Sequence, residues 1–156
     1  MGEEMSKQEI SLTAYCGLYC GDCIRYRSIV ADLARNLENE LQEIKFDKYA
    51  EVKSSSVKEL EHYKECLEVL EAIAKLKCNT SCRAGGDECS NSCEIKKCVQ
   101  SKDFEGCWEC DEFEVCEKFE FLKPFHGDTP QKNLRKIKEY GLDRWVEHRE
   151  KFYLWL

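Results

Sequence analysis

Residues 78–116 read CNTSCRAGGDECSNSCEIKKCVQSKDFEGCWECDEFEVC, and this stretch holds eight of the chain's twelve cysteines. Three more form the group Cys16-x3-Cys20-x2-Cys23 near the start of the chain. A spacing of two to four residues lets two sulfur atoms reach one tetrahedral metal ion at about 2.3 Å without straining the backbone. Residues 78–116 are also rich in turn-forming residues and poor in apolar ones, so burial alone is too weak to fold them. The spacing therefore predicts a fold held together by metal ions.

The candidate ligands are the eleven cysteines that lie in short-spaced groups. They are Cys16, Cys20, Cys23, Cys78, Cys82, Cys89, Cys93, Cys98, Cys107, Cys110 and Cys116. An all-thiolate set favours zinc, and structural zinc sites use four protein ligands and no water. Eleven does not divide by four, so we expect two or three zinc ions. A third closed site needs a twelfth ligand, for which His126, Cys66 and a carboxylate are the candidates.

Cys66 and the three histidines each have an expected setting of their own. Cys66 lies in the middle of an apolar helical stripe, where a lone cysteine is expected to be a small buried side chain rather than a ligand. His126 lies in the turn-like sequence Pro-Phe-His-Gly and is expected either to reach a site or to hydrogen-bond within its loop. His62 and His148 lie inside predicted helices and are expected at the surface.

Two other kinds of metal chemistry remain open. Thiolate clusters also hold iron–sulfur centres, and the spacing of Cys16, Cys20 and Cys23 is the one that radical S-adenosylmethionine enzymes use. Those enzymes need a long series of strand and helix units, which is missing here. A catalytic zinc with three protein ligands and a water molecule is the second alternative. No cysteine has the basic or histidine-containing neighbourhood of a catalytic nucleophile, so the sequence names no catalytic residue.

Composition and charge limit the class of protein. The 156 residues carry a formal net charge of −7, and residues 78–128 have six Lys or Arg against twelve Asp or Glu. Only residues 129–156 are basic, with seven Lys or Arg against four Asp or Glu. Nucleic acid is not expected as a partner, because binding a phosphate backbone requires a basic surface. No signal peptide and no membrane-spanning segment is expected. We expect a cytoplasmic protein that binds another protein, with cysteines that hold metal rather than form disulfides.

Apolar periodicity predicts a helical hairpin over residues 24–77. In the first helix, Ile24–Ile44, apolar residues recur at spacings of three and four: Ile29, Leu33, Leu37, Leu41 and Ile44. Ser56 and Glu59 form a capping box that predicts the start of the second helix. Its stripe runs from Val57 to Ala74, and we expect the two helices to pack along their stripes in antiparallel fashion.

The rest of the chain is also predicted to be helical. Short helices are expected over Glu94–Gln100 and Phe113–Leu122, and a longer one begins at Thr129-Pro130 and stops at Gly141. A last helix is expected over Leu142–Phe152. The aromatic residues of the last knuckle are expected to form its small core: Trp108, Phe113, Phe119, Phe121 and Phe125.

These elements predict a mostly α fold with little or no β structure. Residues 1–156 form a single cysteine-rich domain in this interpretation. A helical hairpin over 24–77 is followed by the metal-stabilised cysteine-rich knuckles over 78–128. A C-terminal helical tail over 129–156 completes the chain.

Three cysteine-containing segments are distinctive: residues 15–23 read YCGLYCGDC, residues 93–98 read CEIKKC and residues 106–113 read GCWECDEF. In this order they resemble the opening, second and third motifs of a prokaryotic family described as domain of unknown function 3795. In the third, Val115 replaces the proline that usually precedes the last cysteine. The resemblance continues through His126-Gly127-Asp128, Asn133-Leu134 and residues 141–145. It implies a cysteine-rich, zinc-binding domain and supplies no reaction.

Overall fold

The computed structural model describes residue 7 and residues 10–86 and 92–151. The helices are α1 (Ile24–Arg27), α2 (Ile29–Glu43), α3 (Phe46–Lys53), α4 (Tyr63–Lys75), α5 (Glu94–Ser101), α6 (Lys123–His126) and α7 (Thr129–Tyr140). Short 3-10 turns connect many of them. The described ranges contain no strand, only an isolated antiparallel bridge between Thr13 and Tyr19. The prediction of a mostly α fold is confirmed.

The contacts divide the chain into two compact units. One unit comprises Met1–Tyr26 and Asn79–Leu156, and the other comprises Arg27–Cys78. The second unit therefore corresponds closely to the predicted helical hairpin. We call the first the cysteine-rich unit and the second the hairpin unit.

The hairpin unit contains α2, α3 and α4. A salt bridge of 2.7 Å joins Asp32 near the start of α2 to Lys77 just beyond the end of α4. The guanidinium of Arg35 donates a hydrogen bond of 3.0 Å to the carbonyl oxygen of Ala74. Because residues near the start of α2 meet residues near the end of α4, the two helices run antiparallel, as the sequence predicted.

The packing face of α2 differs from the predicted one. Ile29, Leu33 and Leu37 are 57%, 63% and 48% exposed, and Ile44 is exposed as well. Ala31 and Ala34 are buried instead, as are Ala50 of α3 and Ala74 of α4. The prediction that the hairpin packs along the large apolar stripe of α2 is therefore wrong for the four exposed members of that stripe, whereas Leu41 is half-buried and lines a pocket with Tyr63 and Leu67 of α4. Small side chains allow closer approach of two helix axes than leucine does, which favours the alanine face.

The start of the second helix also differs from the prediction. Ser54, Ser55 and Ser56 each donate a side-chain hydrogen bond to the carbonyl oxygen three residues earlier. Ser56 therefore completes the turn after α3 and does not cap a new helix. The chain forms a 3-10 turn over Lys58–His62, and α4 begins only at Tyr63. The capping-box prediction is wrong because serine hydroxyls also bond to preceding carbonyl groups.

The cysteine-rich unit has a small core of its own. Its fully or almost fully buried side chains are Ile95, Val99, Cys107, Trp108, Phe113, Phe119, Leu134, Ile137, Trp145 and Val146. They come from α5, from the turns of the last knuckle and from α7 and the segment that follows it. The indole N–H of Trp145 donates a hydrogen bond of 3.1 Å to Thr13 Oγ1. The core thus ties the start of the chain to its tail.

Arg83 connects three further segments of the same unit. Its Nε donates to the carbonyl oxygen of Thr13 at 3.0 Å, and its Nη2 donates to that of Glu105 at 2.9 Å. The guanidinium carbon also lies 5.1 Å from the ring centre of Tyr15 and 5.3 Å from that of Trp108. A planar group with several donors can make all these contacts at once.

The tail follows the sequence prediction as far as Gly141. Helix α7 has Pro130 in its first turn and ends at Gly141, whose φ is +81°. The prediction of a further helix over Leu142–Phe152 is wrong for the described residues, which form only a 3-10 turn at Trp145–His148. The Asn133 side chain bonds both the N–H and the C=O of Glu150. These bonds hold the chain beyond the turn in an extended form; Phe152 lies outside the described residues.

Within the described ranges, no helix combines the length and the apolar character needed to cross a membrane.

Candidate metal centre

Four cysteines of the cysteine-rich unit line one small pocket. They are Cys98, Cys107, Cys110 and Cys116. The pocket has a volume of about 30 Å³, and 10–15 Å³ of such space is roughly what one water molecule needs. Its volume is therefore enough for a single ion or for one to two water molecules. We call it the four-cysteine pocket.

Each of these cysteines is placed by a short element. Cys98 is in the helix α5, whereas Cys107 begins a 3-10 turn that ends at Glu109. The N–H of Cys110 closes this turn on the carbonyl oxygen of Cys107 at 3.0 Å. Cys116 follows the next 3-10 turn, Phe113–Val115. Tight turns of this kind bring two side chains separated by two or three residues to one side of the backbone, as metal knuckles require.

The wall of the four-cysteine pocket is largely apolar. Ile95 and Val99 of α5 line it together with Phe113 and Phe119, and all four side chains are buried. The predicted role of Trp108, Phe113 and Phe119 in sealing the last knuckle agrees with their burial. Phe121 and Phe125 are about half exposed, so the prediction that they belong to this core is wrong.

The cysteines of the pocket interact electrostatically. The pKa of Cys107 is raised to about 12, first by burial and then by the negative charge of the neighbouring Cys116, Cys98 and Cys110. Burial disfavours the charged thiolate, and each nearby thiolate disfavours it further. A metal ion is the usual means of holding several thiolates together in such a place.

A second group of cysteines lies elsewhere in the same unit. Burial, and then the neighbouring Cys82, raise the pKa of Cys16 well above its ordinary value; Cys107 and Cys93 also contribute. Burial and the neighbouring Cys93 likewise raise the pKa of Cys82. Cys82 and Cys93 therefore lie within the electrostatic surroundings of Cys16, although both are more than sixty residues from it in sequence. We call these three residues the three-cysteine group.

The remaining predicted ligands have different surroundings. Cys20 and Cys23 are half-buried at and just after the 3-10 turn Cys20–Asp22. Cys78 is buried and is the last residue of the hairpin unit. Cys89 lies outside the described residues. Across residues 10–86 and 92–151, the four-cysteine pocket and the three-cysteine group included, no three or more His, Cys, Asp or Glu side chains are arranged so that they could hold a metal ion.

Two further predictions concern residues outside these groups. Cys66 is exposed on α4, so the prediction that it is a small buried side chain is wrong: it lies on the outward face of the helix. His62 and His148 are both exposed as expected, and the ring of His148 stacks on Tyr140 at 3.8 Å. His126 is half-buried at the end of α6 and is not among the residues that line the four-cysteine pocket.

Sequence reasoning overlooked Lys102. This residue follows α5 directly, lines the four-cysteine pocket, and places its Nζ 3.9 Å from Cys110 Sγ. The sequence offered one signal for this residue. Lys102 lies between the candidate ligands Cys98 and Cys107, and most of the charged residues that follow it are acidic.

The comparisons with known proteins give one match. The model of the family described as protein of unknown function (DUF3795) matches residues 12–121, which is more than half of the chain. No curated protein and no solved structure matches the chain. The matched range includes all the residues of the four-cysteine pocket and of the three-cysteine group. The chain therefore belongs to the DUF3795 family of proteins of unknown function.

Proposed function

We propose that this chain is a zinc-binding protein whose metal is structural, and that Cys98, Cys107, Cys110 and Cys116 hold one zinc ion. The observation that supports the proposal most strongly is that these four side chains line a single pocket of about 30 Å³. Four sulfur donors with no water are the usual ligand set of a structural zinc site. When bound, the ion would cross-link α5 to the turns that follow it.

The chemistry of the donor set fits zinc. All four candidate ligands are thiolates when ionised, and soft thiolate sulfur selects zinc or iron–sulfur clusters over magnesium or calcium. A pocket with room for one ion suits a single zinc better than a multi-iron cluster. An iron–sulfur centre is therefore the alternative that metal analysis has to exclude.

The three-cysteine group supports a second ion. Cys16, Cys82 and Cys93 supply three sulfur atoms, and the fourth ligand would come from Cys20 or Cys23 of the same unit. A site that kept only three protein ligands would leave a position for water, as catalytic zinc sites do. The ligand count of this group thus distinguishes a structural protein from an enzyme with an open zinc site.

We infer that the protein acts by binding another protein in the cytoplasm. The inference is supported by the short-spaced cysteines, a pattern typical of metal binding in a reducing compartment. The acidic charge of residues 78–128 argues against a nucleic acid partner, because binding a phosphate backbone requires a basic surface.

Two single substitutions test the four-cysteine site. Cys110→Ser should lose about one zinc ion per chain relative to the unaltered protein, and it should lower the melting temperature steeply, because zinc binding contributes on the order of 10 kcal/mol to folding in small zinc modules. Zinc per chain is measured by elemental mass spectrometry and unfolding by circular dichroism.

Cys66→Ser is the matched control, since Cys66 is an exposed cysteine of the hairpin unit. It should leave zinc content and melting unchanged. Equal zinc content in Cys110→Ser and the unaltered protein would refute the site.

A further inference from the structure

Lys102 is placed to act on the four-cysteine pocket from outside the ligand set. It is the residue at which α5 ends, and its backbone N–H bonds to the carbonyl groups of Cys98 and Val99. Its side chain then passes the ring of Phe104, with Nζ 5.7 Å from the ring centre. Nζ is 3.9 Å from Cys110 Sγ, within the range of an N–H···S hydrogen bond.

A positive charge beside the pocket would offset the negative charge of a zinc-loaded site. Four thiolates around one divalent zinc ion carry a net charge of −2. Residues 103–120 add eight Asp or Glu and a single lysine, Lys118. Lys102 and Lys118 are the two cationic side chains that line the pocket, and the other lining residues apart from the cysteines are apolar. Among the residues that line the pocket, these two amines carry the positive charge that can offset that of the sulfur atoms.

We propose that Lys102 is a positioning residue of the zinc site, which donates a hydrogen bond to the Cys110 thiolate and offsets its charge. The proposal rests on the proposed zinc site. A hydrogen bond to a metal-bound sulfur withdraws electron density from it and holds it in orientation. Groups that contact metal ligands in this way typically change metal affinity by about 10- to 100-fold when removed. Lys102 would thereby slow both the release of zinc and the reaction of Cys110 with electrophiles.

The test compares three variants of the full-length protein, each loaded with zinc. Lys102→Met removes the charge and the donor but keeps the length of the side chain, whereas Lys102→Arg keeps both. Lys97→Met is the matched control, because Lys97 lies on the same helix, is exposed, and bonds only Glu94 and Ser92 among the contacts described. The probes are a chromogenic zinc chelator, which reports the rate of zinc release, and iodoacetamide with peptide mass spectrometry, which reports the rate of Cys110 alkylation.

We expect both rates to rise by about 10-fold in Lys102→Met and to stay within about two-fold of the unaltered protein in Lys102→Arg and Lys97→Met. The melting temperature of the zinc-loaded Lys102→Met protein reports its folding separately. If this variant does not fold, Lys102→Gln takes its place and is expected to give the same rates.

The result that overturns the inference is zinc release and alkylation at unaltered rates in Lys102→Met or its replacement. An equal acceleration in Lys97→Met would also overturn it, because the effect would then come from general surface charge. If the unaltered protein holds no zinc at all, the proposed zinc site fails first and the role of Lys102 fails with it. These outcomes separate an error about the lysine from an error about the metal.

Discussion

At the scale of single residues, the cysteine-rich unit depends on side chains that join segments far apart in sequence. Arg83 bonds the backbone at Thr13 and Glu105 and lies close to the rings of Tyr15 and Trp108. The cysteine spacing identified Cys82 as a candidate ligand, but no sequence pattern singled out the neighbouring Arg83. Its role depends on contacts up to 70 residues apart in the chain, which no local pattern reveals.

Replacing Arg83 with lysine should destabilise the zinc-loaded protein by about 1–3 kcal/mol. Lysine keeps the charge but cannot donate from two nitrogens in a fixed plane, so the carbonyl group of either buried Thr13 or exposed Glu105 loses its partner. Urea denaturation followed by circular dichroism measures the change. Arg27→Lys, at an exposed position, is the control and should change stability by less than about 0.5 kcal/mol. Equal effects of the two substitutions would contradict the role given to Arg83.

At the scale of the elements, sequence periodicity predicted the helices better than their packing. The recurrence of apolar residues predicted the helices that contain α2 and α4 and their antiparallel arrangement, but it began the second helix six residues before Tyr63 and gave no helix over Phe46–Lys53. It selected the wrong face for most of α2, because large side chains dominate a count of apolar residues whereas the buried side chains of α2 are Ala31 and Ala34. It also missed the segment after Gly141, where Asn133 binds the backbone of Glu150 and thereby replaces helical hydrogen bonds.

Two substitutions on α2 distinguish the observed packing from the predicted one. Leu33→Ala should change stability by no more than about 0.5 kcal/mol, because Leu33 is mostly exposed, whereas truncation of a core leucine costs about 2–5 kcal/mol. Ala34→Leu should destabilise by about 1–3 kcal/mol, because the buried face has no room for a larger side chain. Chemical denaturation of both variants provides the measurement. A large loss in Leu33→Ala together with a neutral Ala34→Leu would restore the packing that the sequence predicted.

At the scale of the whole molecule, some grouped cysteines are close in sequence and others are far apart. Spacing correctly suggested that Cys107, Cys110 and Cys116 are neighbours. It attached Cys98 to the preceding cysteines, whereas the fold places Cys98 in the same pocket as the last knuckle. It also separated Cys16 from Cys82 and Cys93, which lie within its electrostatic surroundings in the folded unit. Spacing constrains only cysteines that are close in sequence, so the fold was needed to complete both groups.

The central claim is that the four-cysteine pocket and the three-cysteine group hold zinc. The most direct measurement is the content of zinc, iron and acid-labile sulfide per chain in protein purified anaerobically without added metal, together with its visible spectrum. The account predicts two to three zinc ions per chain, no iron or sulfide, and a colourless solution. Iron with matching sulfide and broad visible absorbance, or a folded protein without metal, would contradict it.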